Sequence, residues 1–130
     1  MTDMIERLRE LKILFVEDEV DLLDIITDAL DSLAVEYLTA ENGVEALEII
    51  DNNPDINIIA TDINMPQMDG LELIRILKEK RKLTTSIIVM SAHSESEYIQ
   101  EAEKLGVDHY LGKPFDFINF INLISSMEIK

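Results

Sequence analysis

Four short apolar stretches of this 130-residue chain run into side chains able to do chemistry. Glu17, Asp18 and Glu19 follow Leu11–Val16, and Asp62 follows Ile56–Thr61. Ser91 and Ala92 follow Ser86–Met90, while Lys113 and then Pro114 follow Val107–Leu111. Singly, each has an ordinary explanation, since Asp and Ser cap helices and turns and Lys is commonly solvated. Together they form a set with a purpose. Carboxylates drawn close raise one another's pKa values unless a cation lies among them. A hard divalent ion relieves that repulsion, and Mg2+ typically takes one or two carboxylates, keeps several waters and leaves room for a phosphoryl group. Lys113 would then neutralise one phosphoryl oxygen, and Ser91 would donate a hydrogen bond to another. The expected chemistry is phosphoryl transfer to a carboxylate, in which the protein positions the nucleophile and stabilises spread negative charge. Asp62 is the expected nucleophile because it follows the most continuously apolar run, and with Asp18 it is expected to form the metal site.

The elements that must position these residues follow from periodicity. Short runs rich in β-branched residues alternate with longer stretches of helical spacing, the pattern of βαβ units around a parallel sheet. After Leu11–Val16, residues Leu22, Leu23, Ile26, Ala29, Leu30 and Leu33 mark a helix. Ala34–Ala40 alternates as a half-exposed edge strand would, and Asn42-Gly43 leads into a helix carrying Val44, Ala46, Leu47 and Ile50. Ile56–Thr61 is nearly all apolar and is expected to be central. A loop with Pro66 and Gly70 precedes a helix with Leu71, Ile74 and Leu77 inward, whose charged end is Glu79 to Lys82. Ser86–Met90 is the fourth strand, and the helix after it, with Tyr98, Ile99, Ala102 and Leu105, stops at Gly106. Val107–Leu111 is the fifth strand, and Phe115, Ile118, Ile121, Leu123 and Ile124 mark a last helix behind Pro114. Five βα units predict one doubly wound α/β domain, whose ligands bind beyond the carboxyl ends of the strands.

Composition narrows the function further. Eleven Lys and Arg against 27 Asp and Glu give a formal net charge of −16, which disfavours direct binding to nucleic acid or to an anionic membrane surface. The absence of cysteine removes thiolate chemistry and suits a reducing compartment, and Met1 to Leu11 lacks the apolar core of a signal peptide, so a cytoplasmic location is expected. His93 and His109 have no third nitrogen or sulfur ligand to make a metal site. Nucleophile-elbow, P-loop and dinucleotide glycine patterns are absent.

Four motifs, in order and each after an expected strand, carry a family resemblance: FVEDE at Phe15–Glu19, TDINMPQMDG at Thr61–Gly70, VMSA at Val89–Ala92 and YLGKPF at Tyr110–Phe115. From Leu11 to about Met127 the chain resembles response-regulator receiver domains of two-component signalling, of the single-domain, chemotaxis-regulator-like kind. The resemblance implies a flavodoxin-like five-stranded parallel sheet of order 2-1-3-4-5, with residues 1–10 as an N-terminal extension and 11–130 as the receiver domain. It implies that Asp62 accepts a phosphoryl group from a histidine kinase phosphohistidine with Mg2+ as cofactor. Asp18 and Asp62 would bind the metal directly, Glu17 through water, and Asn64 through its backbone carbonyl. Lys113 would pair with the phosphoryl group, and the Lys113-Pro114 peptide bond would be cis. Ser91 and Tyr110 match a switch pair, a two-state element biased by charge. Asn64 and His93 occupy positions that tune the lifetime of the phosphoryl group. Glu17 stands where many members have Asp, so a longer arm must reach the metal.

The reading that follows is a signalling module, not an enzyme, whose catalysis is confined to its own phosphorylation and dephosphorylation. Its expected partners are a histidine kinase or phosphotransfer protein and a downstream protein target, bound through the face formed by the fourth helix, fifth strand and fifth helix of the βα series. That face is about Ser94 to Leu105, Val107 to Leu111 and Phe115 to Met127, and it would also serve a homodimer; Phe117 or Phe120 would be its exposed apolar residues, or else core. One alternative is a receiver-like scaffold that binds protein without phosphorylation. Another is a Mg2+-dependent aspartyl phosphatase of the haloacid-dehalogenase type, which needs a second Asp where Asn64 stands. The chain ends at Lys130, just after the last helix, which fits either a stand-alone regulator or a receiver excised from a longer protein. The segment with Met4, Ile5, Leu8 and Leu11, with Asp3 as a cap, is expected to fray, a packed short helix or a self-association handle being the alternatives.

Overall fold

Successive residues of β1 (Lys12–Val16) point to opposite sides of a sheet, and both sides are covered. Ile13 and Phe15 join one core cluster, while Leu14 and Val16 join the other. The same alternation divides β3 (Ile58–Asp62), where Ile58 and Ala60 face one cluster and Ile59 the other. That is why these two strands read as nearly continuous apolar runs. The computed structural model describes residues 2–63, 67–83, 85–92, 96–107, 109–113 and 117–127.

The remaining elements are α1 (Thr2–Arg9), α2 (Val20–Ser32), β2 (Glu36–Ala40), α3 (Gly43–Asn52), α4 (Gly70–Arg75), β4 (Ser86–Ala92), α5 (Ser96–Lys104), β5 (His109–Lys113) and α6 (Phe117–Ser126). A π-helical turn, Ile76–Lys80, extends α4. The five strands are parallel and lie in the order β2-β1-β3-β4-β5, the flavodoxin-like arrangement expected. Helices α1, α2 and α6 cover one side, through Leu8, Leu23, Ile26, Leu30, Phe120, Ile121 and Ile124. Helices α3, α4 and α5 cover the other, through Ala46, Ile50, Leu71, Ile74, Leu77 and Ala102. The rings of Phe15 and Phe120 meet at 5.3 Å between centroids, which makes Phe120 core and not part of an exposed face.

Several boundaries differ from the sequence reading for local reasons. Helix α2 ends in a Schellman arrangement: Val35 N–H donates to Leu30 O at 3.0 Å, Ala34 N–H donates to Asp31 O at 3.1 Å, and Ala34 takes φ +58°. Ala34 is thus a helix cap, and the second strand starts later, at Glu36. Helix α5 closes the same way on Gly106, with Val107 N–H donating to Ala102 O at 3.1 Å and the Val107 side chain buried. The fifth strand therefore begins at His109 instead of Val107. The inward face of α6 is set by Phe120, Ile121, Ile124 and Met127, which leaves Ile118 exposed; Val44 at the start of α3 is also exposed.

The N-terminal segment is a packed helix and not a frayed end. Asp3 lies inside α1, so it is not the cap. Leu8 is buried in the core, the Arg7 guanidinium donates to Met127 O, and Arg9 Nε donates to Leu33 O at 2.7 Å. Both carbonyls belong to the carboxyl ends of helices, so α1 closes the gap between α2 and α6 where their last carbonyls need partners.

Ala34 is a non-glycine residue in the left-handed region, a conformation that costs an L-residue roughly 1–2 kcal/mol. Part of that cost is recovered by glycine, less its greater loss of freedom on folding. Ala34→Gly should therefore raise stability by about 0.5–1 kcal/mol, read as a higher midpoint in urea unfolding with unchanged slope. A lower midpoint would contradict the cap assignment.

Candidate functional site

Parallel register brings the chemistry-bearing positions to one edge. Val16 is level with Thr61, Thr61 with Val89, and Val89 with Tyr110. One row further, Asp62 is level with Met90; the next row sets Ser91 opposite Gly112, and the last sets Ala92 opposite Lys113. Asp62 and Lys113 are thus two residue steps apart along the strands, about 7 Å. The backbone of Glu17 stays in the same frame, because its N–H donates to Ala40 O of β2 at 2.9 Å.

Three of the predicted residues are brought together by their side chains. Glu17, Asp18 and Asp62 offer carboxylate oxygens that all lie within 4.8 Å of one another. Glu17 is fully buried and Asp62 is 5% exposed, while Asp18 lies at the solvent side. Glu17 Oε2 accepts the Glu19 N–H at 3.2 Å, which ties its carboxylate to the start of α2. Asp62 Oδ1 accepts the Ile63 N–H at 2.8 Å, which fixes the rotamer of that side chain against its own backbone. Among the described residues no nitrogen or sulfur ligand joins this cluster. Three hard oxygen donors, two of them buried and one open to solvent, fit a divalent cation of the Mg2+ type.

Positions around Asp62 are held closely. The Thr61 hydroxyl donates to the Asp62 carbonyl at 2.8 Å, and the Gly70 N–H donates to Ile63 O at 2.8 Å, closing the segment between β3 and α4. A Cβ on Gly70 would lie 2.1 Å from the Asp62 carbonyl oxygen, so this close approach requires glycine. Asp69 caps α4 by accepting the Glu72 N–H at 2.8 Å, and Asn42 caps α3 by accepting the Glu45 N–H at 2.9 Å. Thr61 enters the sequence reading only as the end of an apolar run, and its one signal there is a hydroxyl immediately before Asp62.

Ser91 and Lys113 occupy the ends of β4 and β5, where the register puts them on the same edge as Asp62. Tyr110 is half-buried against the α3–α4–α5 core, and its hydroxyl donates to Val107 O at 2.6 Å. Asn64, His93 and Pro114, and with Pro114 the expected cis bond, lie outside the described residues. Among the described residues no helix is long and apolar enough to cross a membrane.

A five-stranded parallel sheet with a carboxylate cluster at its carboxyl edge is the arrangement of a receiver, and residues 13–125 match the response regulator receiver domain family, to which the chain belongs. Over 107 residues it is 36% identical to a chemotaxis protein CheY homolog of Campylobacter jejuni, a match covering 81% of this chain and 82% of that protein. A response regulator receiver protein of Pseudomonas putida, 26% identical, superposes with a TM-score of 0.82 over 90% of this chain and 97% of that one. A CheX–CheY–BeF3–Mg+2 complex from Borrelia burgdorferi, 27% identical, gives a TM-score of 0.79 over 89% of this chain and 87% of that one. The chain is accordingly a CheY-like receiver domain, a phosphoacceptor module of two-component signalling.

Gly70→Ala should cost about 2–3 kcal/mol, at the upper end for forcing an extra carbon into a packed site, because the obstacle is the Asp62 backbone and not a side chain that can swing away. Urea unfolding of the purified variant checks this. A midpoint equal to that of the wild type would show that the approach at Gly70 is not required.

Proposed function

We propose that Asp62 is the phospho-acceptor and that its phosphorylation switches the α5/β5/α6 face between partner-binding states. The observation that carries this is the Asp62 carboxylate itself: buried, held at Oδ1 by the Ile63 N–H, and sharing its site with Glu17 and Asp18. A carboxylate so placed is held in one orientation for in-line attack on phosphorus. A new bond forms between an Asp62 oxygen and phosphorus as the P–N bond of a donor phosphohistidine breaks, its electron pair staying on the imidazole. Glu17, Asp18, Asp62 and the Asn64 carbonyl would hold Mg2+, which when bound supplies positive charge to the phosphoryl oxygens.

In this reading Lys113 pairs with the transferred group, and the Ser91 hydroxyl donates to it. Tyr110 follows Ser91 as the second half of the switch, and its present bond to Val107 O is what the change would have to rearrange. Asn64 and His93, two residues beyond Asp62 and Ser91 in the sequence, set how long the group survives. The donor is a histidine kinase or phosphotransfer protein and the output is a downstream protein target, both in the cytoplasm. The strongly acidic surface supports a protein partner over direct contact with nucleic acid or membrane. No catalysis on another substrate is proposed: the residue two beyond Asp62 is Asn64, not the second acid that a phosphatase of the aspartyl type uses.

Intact mass after incubation with Mg2+ and acetyl phosphate should show one added phosphoryl group on the wild type, none on Asp62→Asn, and none on the wild type with chelator. Unmodified wild type, under conditions that modify a control receiver, would favour a scaffold that binds without phosphorylation.

A further inference from the structure

The start of α3 touches the segment that carries the acceptor, and the contact is unusually tight. Gly43 N–H donates to Met68 O at 3.1 Å, and a Cβ on Gly43 would lie 2.7 Å from Met68 Cγ, 2.8 Å from Sδ and 2.9 Å from Cβ. Gly43 is buried and lacks the left-handed backbone that would by itself call for glycine, so the missing side chain is needed for space. Met68 fills that space and sits half-buried against the core between α3 and α4.

The placement of Gly43 matters because hydrogen bonds tie its surroundings to the segments that carry both parts of the carboxylate cluster. Three residues before it, Ala40 O accepts the Glu17 N–H. Immediately before it, Asn42 caps α3 and fixes the helix start. On the other side Met68 is two residues from Gly70, whose N–H closes back onto Ile63 O beside Asp62. We propose that Gly43 is a positioning residue for phosphoryl transfer: it lets Met68 seat on α3 and so sets the depth of the Asp62 segment relative to Glu17 and Asp18. This rests on the reading of Asp62 as the phospho-acceptor.

A methyl group at position 43 would push Met68 outward and carry the Asp62 segment with it. Displacements on the order of 1 Å are enough to slow a positioned reaction by up to about a hundred-fold. The test compares wild type, Gly43→Ala, Met68→Ala and the double variant in two measurements: amide hydrogen exchange by NMR, and the rate of phosphoryl gain from acetyl phosphate with Mg2+. Gly43→Ala should speed exchange at the amides of residues 43 and 70 on the order of ten-fold while the amide of Ile88 in the central ladder stays as in wild type. Its phosphoryl gain should slow on the order of ten-fold or more. Met68→Ala should slow it less, and the double variant should be no slower than Met68→Ala, because the added methyl group then has room. The proposal is overturned by unchanged exchange in Gly43→Ala, by faster exchange with an unchanged rate, or by a double variant slower than either single one. A wild type that takes no phosphoryl group counts against Asp62 as acceptor; the exchange comparison and its rescue by Met68→Ala still decide whether Gly43 seats Met68.

Discussion

Glu17, Asp18 and Asp62 repel one another across distances within 4.8 Å, and the backbone of β1 and β3 holds them there. Two of the three are buried, where a charge loses its water and the repulsion is least screened. Such an arrangement persists only if surrounding structure over-determines it. Parallel pairing of β1 with both β2 and β3, two full core clusters and the Gly70 contact on the Asp62 carbonyl supply that constraint. The site stores an electrostatic cost that a divalent cation and then a phosphoryl group, each in its own way, would rearrange. A receiver needs this, because its two states must lie close in energy for one added group to tip them.

The same sheet connects the site to the face proposed to bind partners. Tyr110 and Lys113 belong to one five-residue strand, β5, so the hydroxyl bonded to Val107 O and the carboxyl end of the strand are joined by a single extended segment. Close packing makes such an element switch between discrete arrangements instead of deforming gradually. On the opposite side the Phe15 and Phe120 rings join β1, which leads into Glu17, to α6. Helix α1 completes that side by covering the core with Leu8 and by giving the end carbonyls of α2 and α6 their donors.

Much of this was legible in the sequence, because the signals involved are local and repeated. Strands buried on both sides produce the apolar runs at Ile13–Val16 and Ile58–Ala60, and the residues that follow such runs mark the carboxyl edge. The edge position of β2 showed in its alternation. Boundaries were lost where a cap lacked its usual residue: Ala34 adopts the conformation of a glycine, so it read as strand. Val107 is apolar because it completes the cap of α5, which placed the fifth strand two residues early. Ile118 reads as core but is exposed, and Phe120, open to either reading, is buried, because a helix so rich in apolar residues does not announce which side faces the core. Contacts between distant segments, such as Gly43 with Met68 or Arg7 with Met127, leave no periodic trace at all.

The central claim is that the three carboxylates are held together at an electrostatic cost that a cation relieves, and thermal unfolding of metal-free protein tests it most directly. Asp62→Asn keeps the shape of the side chain and an oxygen to accept the Ile63 N–H, but removes one of the three charges. Without divalent ions the variant should be more stable than the wild type, read as a higher unfolding midpoint, because one of three like charges at close range is removed. Mg2+ at a hundred times its dissociation constant should then stabilise the wild type by about 2.7 kcal/mol and the variant by less. A variant less stable than the wild type without divalent ions, together with a wild type indifferent to Mg2+, would contradict the account.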